Sequence, residues 1–226
     1  MPILTDDIRG QLKQIFDSSL KNKVKLVYIY REFDCQYCRE IDELLTEVRD
    51  IKPELIELKK INFELEKDEA QKYNPARIPA TFIMDEAEEV RGIVYYGIPS
   101  GYEFSSLIED ITMVSTGHVD VQPDVAERIK SIDVPMNIKV FVTPTCPYCP
   151  RAVRVAHKFA YINRNIVGEM IEAIEFPELS DRFMVHAVPK IVINDGVVEF
   201  EGALPENMFA DYVMQAYEAI KDKKEA

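Results

Sequence analysis

The sequence has 226 residues, of which 47% are apolar and 30% charged, a composition typical of a soluble globular protein with one or two domains. Its 40 acidic against 27 basic side chains give a net charge of −13, which argues against binding to nucleic-acid phosphates. The sequence has no apolar run of about 18 residues and no basic segment leading into an apolar one, so we expect no membrane span, no secretory signal and a cytoplasmic location.

The first half of the chain shows alternating helix and strand patterns. It opens with an amphipathic helix whose apolar side chains recur at helical spacing: Ile8, Leu12, Ile15, Phe16 and Leu20. An apolar run over 24–30 predicts a buried strand that ends just before Cys35. A helix, a strand near 55–63, a short helix, two strands after Pro79 and a helix ending near Val114 follow. The order predicts an α/β fold, with a central mixed sheet flanked by helices.

The second half repeats this order. A shorter opening helix carries Val125, Ile129 and Ile132 on one face, and a strand is predicted over 138–142. A second strand is predicted near 170–174, and the last helix is expected to end near Lys221. The second half therefore predicts the same fold as the first.

The segment 115–123 between the halves is polar and is interrupted by Gly117 and Pro123. We therefore place the domain boundary close to Gly117, which divides the chain into units 1–117 and 118–226. Because the linker has only about nine residues, we expect the two units to form one closely packed body, each with a four-stranded sheet.

Three motifs recur in the same order in both halves. Cys35-Gln-Tyr-Cys38 returns as Cys146-Pro-Tyr-Cys149, Ile78-Pro79 returns as Val188-Pro189, and the pair Gly97 and Phe104 returns as Gly202 and Phe209. Three matched anchors indicate that a whole domain has been duplicated.

All four cysteines of the chain belong to the two Cys-x-x-Cys pairs. At the start of a helix, the first and fourth residues of such a motif lie one turn apart, within reach of a disulfide. The helix N-terminus stabilises a thiolate on the first cysteine, which makes it the nucleophile, and the second cysteine is suited to resolving the mixed disulfide. We therefore interpret both pairs as redox sites.

Two structural alternatives remain open. Cys-x-x-Cys is also half of a four-thiolate zinc site, although these pairs lie far apart in the chain and each follows its own strand. A permanent disulfide is the other alternative, and the reducing power of a cytosol argues against it.

The segment from Phe141 to Cys149 resembles a glutaredoxin active site, and the downstream prolines resemble the cis-proline of the thioredoxin superfamily. Two fused units, one with Cys-Gln-Tyr-Cys and one with Cys-Pro-Tyr-Cys, resemble the protein disulfide oxidoreductases of thermophilic archaea and bacteria. The resemblance covers nearly the whole chain and implies two tandem thioredoxin-like folds. Abundant Glu and Lys without Trp also favour a thermophilic source.

The resemblance implies a role for each matching residue. Cys35 and Cys146 would attack, and Cys38 and Cys149 would resolve. Pro79 and Pro189 would be cis, and the residues before them, Ile78 and Val188, would offer backbone groups to an extended protein substrate. We expect disulfide formation, reduction or isomerisation in proteins, as in a protein disulfide isomerase, with no cofactor or metal.

A second hypothesis is a dedicated electron carrier between a flavin-containing reductase and a peroxidase. A flavoprotein resembling thioredoxin reductase is an expected partner in either case. A metal-binding interaction module is the non-enzymatic alternative.

Some residues depart from the thioredoxin pattern. Counting six residues back from the first cysteine, where thioredoxins have a buried Asp, gives Ile29 and Val140. We interpret His157 as a packing or surface residue and His186 as a loop residue. Because Glu32 and Asp34 precede Cys35, whereas Arg151 and Arg154 follow Cys146, we expect the lower thiol pKa at Cys146.

Overall fold

Eight strands form one continuous sheet in residues 3–89 and 92–225, the part of the chain that the computed structural model describes. The outermost residues of the two expected units, 1 and 226, lie outside this part. The strands are β1 (Val24–Tyr30), β2 (Ile56–Asn62), β3 (Ala80–Asp85), β4 (Ile93–Tyr96), β5 (Met136–Val142), β6 (Ile166–Glu172), β7 (Lys190–Ile193) and β8 (Val198–Glu201). Their spatial order is β2-β1-β3-β4-β6-β5-β7-β8.

The helices alternate with these strands along the chain. They are α1 (Asp6–Ser19), α2 (Cys38–Ile51), α3 (Lys67–Gln71), α4 (Glu103–Thr116), α5 (Pro123–Lys130), α6 (Cys149–Ile162), α7 (Pro177–Arg182) and α8 (Glu206–Glu225). Each half therefore has the predicted βαβαββα order after an opening helix. No helix within the described residues combines the length and the apolar character needed to cross a membrane.

The sheet has the same pairing in both halves. In the first half, β1 is parallel to β2 and antiparallel to β3, and β3 is antiparallel to β4. In the second half, β5 is parallel to β6 and antiparallel to β7, and β7 is antiparallel to β8. The halves join where β4 pairs in parallel with β6, from Ile93 opposite Gly168 to Tyr96 opposite Ile171. The predicted single body with four strands in each unit is confirmed.

The two faces of the sheet carry different helices. Leu26, Tyr28 and Val140 belong to a core that also contains buried side chains of α1, α2, α4, α5, α6 and α8. Val27 and Phe141, which point the other way because side chains alternate along a strand, pack with residues of α3 and α7. Both helices that begin with a cysteine, α2 and α6, therefore lie on the same face.

Two sequence predictions need correction. Leu12 and Phe16 of the first helix are buried as expected, but Ile8 and Ile15 are 37% and 41% exposed. Strand β6 begins at Ile166, four residues before the predicted start, because Gly168 interrupts the apolar run that marks a strand. A Cβ at Gly168 would come within 2.7 Å of the Ala156 carbonyl oxygen, so close packing of α6 on the sheet requires glycine there.

Candidate active sites

Each Cys-x-x-Cys pair forms a disulfide at the start of a helix. The Cα atoms of Cys35 and Cys38 are 5.5 Å apart, and those of Cys146 and Cys149 are 5.6 Å apart. The second cysteine is the first residue of the helix in both cases. In both pairs the first cysteine is also the more exposed, since Cys35 is half-buried and Cys38 8% exposed, while Cys146 is 8% exposed and Cys149 fully buried.

A cis X-Pro bond begins the strand beside each disulfide, as predicted: Ile78-Pro79 before β3 and Val188-Pro189 before β7. The Val188 carbonyl oxygen lies 3.7 Å from Cys146 Sγ. The carbonyl of Pro79 accepts a hydrogen bond from Gly97 N–H, and that of Pro189 accepts one from Gly202 N–H. The structure thus brings each predicted proline to the end of the sheet where its cysteine pair lies.

Both disulfides lie at the same end of the strands of the sheet. We call this set of strand ends the redox edge. β1, β4, β5 and β6 end at this edge, and β3 and β7 begin there, because of the pairing directions described above. β1 and β5, which lead to the two pairs, are four strand spacings apart, about 19 Å. The two pairs therefore do not converge on a shared four-thiolate site.

The position that corresponds to Val140 in the first unit is Tyr28, and the assignment of Ile29 was wrong. Strand β1 begins eleven residues before Cys35, whereas β5 begins ten residues before Cys146, so counting back from the cysteine shifts the register by one. Tyr28 faces α2, and its O–H donates a 2.8 Å hydrogen bond to the Cys38 carbonyl oxygen. Burial raises the pKa of Tyr28, so the phenol stays protonated.

The surroundings of Cys146 differ from those assumed from sequence. Arg154 binds Glu109 and Asp110, so its charge is largely neutralised by these acids. A different donor is directed at the sulfur, because Cys149 N–H lies 3.2 Å from Cys146 Sγ. A helix-start N–H stabilises a thiolate at this position.

We therefore expect Cys146 to alkylate faster than Cys35. In the reduced protein at pH 7, iodoacetamide should modify Cys146 roughly three to ten times faster, because the Cys149 N–H stabilises its thiolate. Peptide mass spectrometry across pH measures both rates, with Arg151→Ala testing the remaining nearby cation. A lower ionisation pH at Cys35 would refute this assignment.

Glu103 is a buried acid that sequence reasoning missed. It begins α4, is 1% exposed, and accepts a 2.8 Å hydrogen bond from Ser106 Oγ. The preceding residue, Tyr102, donates its N–H to the Pro144 carbonyl oxygen, just before the second cysteine pair. Burial raises the pKa of Glu103 to about 7, and the Ser106 hydrogen bond only partly opposes this.

This raised pKa predicts a pH-dependent stability. An acid whose pKa is higher in the folded than in the unfolded state stabilises the fold at low pH, and this stability is lost as pH rises from about 4.5 to about 7. The loss should amount to about 3 kcal/mol of unfolding free energy. Urea unfolding between pH 4 and pH 8 should show that Glu103→Gln removes the part of the decline that Glu103 contributes. Glu109→Gln, an exposed acid on the same helix, should retain it.

A buried polar cluster joins the units on the face that carries α2 and α6. Asp110 of α4 is fully buried and accepts hydrogen bonds from Tyr95 O–H of β4 and from His157 Nδ1, the latter at 2.6 Å. It also binds the Arg154 guanidinium. Burial lowers the pKa of His157 to about 3, and the charge of Arg154 adds to the effect, so the imidazole is neutral. His157 is thus a packing residue, while His186 is exposed in the loop before Pro189.

Large apolar side chains surround the redox edge. Six of them are between 52% and 80% exposed: Phe33, Leu65, Tyr102, Tyr148, Ile174 and Met184. All six lie in segments that follow β1, β2, β4, β5 or β6, or that precede β7. We call these six side chains the apolar rim.

Comparison with known proteins identifies a matching family model and a curated relative. Residues 136–215 match the family model described as Thioredoxin domain. The alkyl hydroperoxide reductase AhpF of Staphylococcus aureus (strain MRSA252) is 30% identical over 192 residues, which cover 85% of this chain and 34% of the relative. The chain thus spans about a third of the length of the curated relatives it matches.

Two solved structures cover nearly the whole fold. The NTD_N/C domain of alkylhydroperoxide reductase AhpF from Enterococcus faecalis (V583) superposes with a TM-score of 0.84 at 27% identity, covering 93% of this chain and 99% of that one. A protein disulfide oxidoreductase from Aeropyrum pernix K1 superposes with a TM-score of 0.88 at 30% identity, covering 95% of this chain and 94% of that one. With two thioredoxin-like units and two disulfide-forming Cys-x-x-Cys motifs, the chain belongs to the protein disulfide oxidoreductase family, whose chemistry is thiol-disulfide exchange.

Proposed function

We propose that the protein forms, reduces or isomerises disulfides in other proteins, acting on chains that expose apolar side chains. The observation that carries this proposal is the apolar rim, since it surrounds the edge at which both disulfides lie. Exposed apolar patches mark interaction surfaces, and incompletely folded proteins are the substrates that present apolar side chains beside accessible cysteines.

In this proposal the first and second cysteines of each pair have different roles in the reaction. Cys35 or Cys146 attacks a substrate disulfide as a thiolate, and one substrate sulfur leaves as a thiolate that takes up a proton. Cys38 or Cys149 then loses its proton and attacks the mixed disulfide, which releases the second substrate thiolate and restores the intramolecular disulfide. Oxidation of a substrate dithiol follows the reverse path.

We assign substrate positioning to the residues around the cis-prolines. Ile78 with Pro79, and Val188 with Pro189, would hold an extended substrate segment through backbone hydrogen bonds. The short distance from the Val188 carbonyl oxygen to Cys146 Sγ supports this role, because a peptide held there would bring its own sulfur to the reactive cysteine.

We also propose that residues 1–117 and 118–226 are the two units of this enzyme. Gly117 supports the boundary, because it ends α4 in the left-handed conformation with φ +67°. The next helix, α5, begins with Pro123 and opens the second repeat.

The second candidate function is electron transfer between a flavoprotein reductase and a peroxidase. The specific observation in its favour is the similarity of this chain to part of the alkyl hydroperoxide reductase AhpF. A dedicated carrier would also dock its partners through an exposed surface, but it would recognise only those two proteins, so the range of substrates separates the two functions.

Substrate assays separate these two functions. Insulin reduction and refolding of a scrambled disulfide protein should proceed if the first proposal is correct. A protein that supports only NADPH-dependent peroxide reduction, in the presence of a flavoprotein reductase and a thiol peroxidase, would support the carrier instead.

Substitutions in the apolar rim test whether these side chains bind protein substrates. Leu65→Ser with Tyr148→Ser should raise KM for a scrambled protein about fivefold or more, because each side chain contributes roughly 1 kcal/mol of apolar contact. Reduction of a small aromatic disulfide should be unchanged. Val197→Ser, in the β7–β8 turn at the opposite edge, is the matched control. Equal KM values for all three proteins would contradict the role of the rim.

A further inference from the structure

An acidic segment of the second unit reaches the first. Glu175, three residues after the end of β6, accepts a 2.5 Å hydrogen bond from the N–H of Ile98 through its Oε1 atom. Glu172 Oε2 accepts the N–H of Glu175 at 2.7 Å and so fixes the turn. Ile98 follows β4, which ends at the redox edge two strands away from β1. A carboxyl group from one unit is therefore held against the backbone of the other.

The position of this carboxyl links it to the first cysteine pair. A Cβ at Gly97 would come within 2.6 Å of Glu175 Oε1, so glycine makes room for the side chain. The same Gly97 donates its N–H to the carbonyl of Pro79, the cis-proline of the first site. Glu175 also lies close enough to Tyr28 to raise its pKa by charge, and Tyr28 O–H binds the Cys38 carbonyl oxygen.

The surroundings of Glu175 bring its proton exchange close to pH 7. Burial raises its pKa to about 7, the negative charges of Glu172 and Glu40 add to the effect, and the Ile98 N–H opposes it. Two cations line the groove on the α7 side of Glu175. Arg77 binds Glu169 and lies over the ring of Tyr96, and Arg182 lies over the ring of Phe183.

The same groove also holds Glu178, which is exposed on α7. Its side chain therefore offers an acid of the same length in the same groove, but in contact with water.

Within the part of the chain that the structure describes, the second site has no equivalent neighbour at this position. Gly202 corresponds to Gly97 and has a similar φ of +90°, but a Cβ there would meet no atom within 4 Å among the described residues. The reason is topological, since β8 is an edge strand whereas β4 is paired with β6. In the described sheet, the last strand of the first unit, β4, is covered by the other unit, whereas the last strand of the second unit, β8, is not.

We propose that Glu175 of the second unit is the proton-exchanging group that tunes the first redox site, in place of the buried Asp that its strand lacks, and that it acts on the cysteine pair by charge and not by contact. The proposal rests on the roles of Cys35 and Cys38 given above. When a dithiol reductant opens the Cys35–Cys38 disulfide, two electrons enter, Cys38 takes a proton, and Cys35 is left as a thiolate. Glu175 takes up a second proton as this negative charge forms, and it releases the proton when the disulfide closes again.

The test uses the full chain with Cys146→Ser and Cys149→Ser, so that only the first site reports. The Cys35 alkylation rate and the reduction potential, measured against glutathione between pH 5 and pH 9, should show an inflection near pH 7 besides that of the thiol. Glu175→Gln keeps an acceptor for the Ile98 N–H. It should abolish the inflection and raise the Cys35 alkylation rate at pH 8 roughly three- to tenfold, because a nearby like charge is removed.

Two controls distinguish an error in the role of Glu175 from an error in the proposed function of the first site. Glu178→Gln should behave as the parent protein, and Glu175→Gln with the first pair replaced by serine should leave the Cys146 profile unchanged. An unchanged Cys35 profile in Glu175→Gln, in a protein that still reduces insulin, overturns the role of Glu175 alone. Absence of exchange at Cys35 in the parent protein overturns the proposed function of the first site, and this inference with it.

Discussion

Replacing Cys35 and Cys146 together by serine is expected to abolish insulin reduction, lowering the rate at least about a thousandfold, because a hydroxyl does not act as the thiolate nucleophile. Each single replacement should leave the activity of the other site, since the structure gives each disulfide its own helix start and its own cis-proline. Turnover measured with a protein disulfide and with a small disulfide reports both sites.

The resolving cysteines should give the complementary result. Cys38→Ser and Cys149→Ser should each accumulate a mixed disulfide with substrate at the corresponding first cysteine, which non-reducing electrophoresis and peptide mapping detect. Cys35→Ser with Cys146→Ser is the control that traps nothing. If neither single variant captures a substrate, the assigned division between attacking and resolving cysteines is wrong.

Asp110→Ala is expected to destabilise the protein by about 3–5 kcal/mol, because it leaves the Arg154 guanidinium without its buried counter-charge. The same change removes an acceptor from Tyr95 and from neutral His157. Chemical unfolding followed by circular dichroism measures the loss. Since α4 and α6 belong to different units, the variant should also weaken the cooperativity between them, which appears as a lower denaturant slope.

Glu109→Ala provides the matched control for this variant. Glu109 also binds Arg154, at 3.0 Å, but it is 62% exposed at its side chain, so its loss should cost less than about 1 kcal/mol. An unfolding free energy of Asp110→Ala within about 1 kcal/mol of the parent protein would show that the cluster does not hold the units together.

The fold and the cysteine pairs could be predicted from sequence because their signals are local and occur twice. The apolar run 24–30, the motif beginning at Cys35 and the downstream Pro79 each have a counterpart in the second half. Strand β6 was placed four residues late because close packing requires Gly168, and glycine weakens the apolar pattern of a strand.

The buried acids could not be found in this way. Glu103, Asp110 and Glu175 look like ordinary surface acids in the sequence, but Glu103 and Asp110 are buried and Glu175 is half-buried against the other unit. The recurrence of Gly97 as Gly202 indicated that both positions require glycine. The pairing of β4 with β6 was needed to show that Gly97 is the one that has a side chain, that of Glu175, packed against it.

The parallel pairing of β4 with β6 makes the duplicated protein asymmetric. Two identical repeats joined in this way still differ. The last strand of the first repeat, β4, is paired with β6, whereas the corresponding strand of the second repeat, β8, lies at the end of the sheet. In the role proposed for Glu175, a substitution at position 175 acts on the first site and leaves the second untouched. The way the repeats are joined thus allows a residue of one repeat to act on only one of two otherwise matching sites.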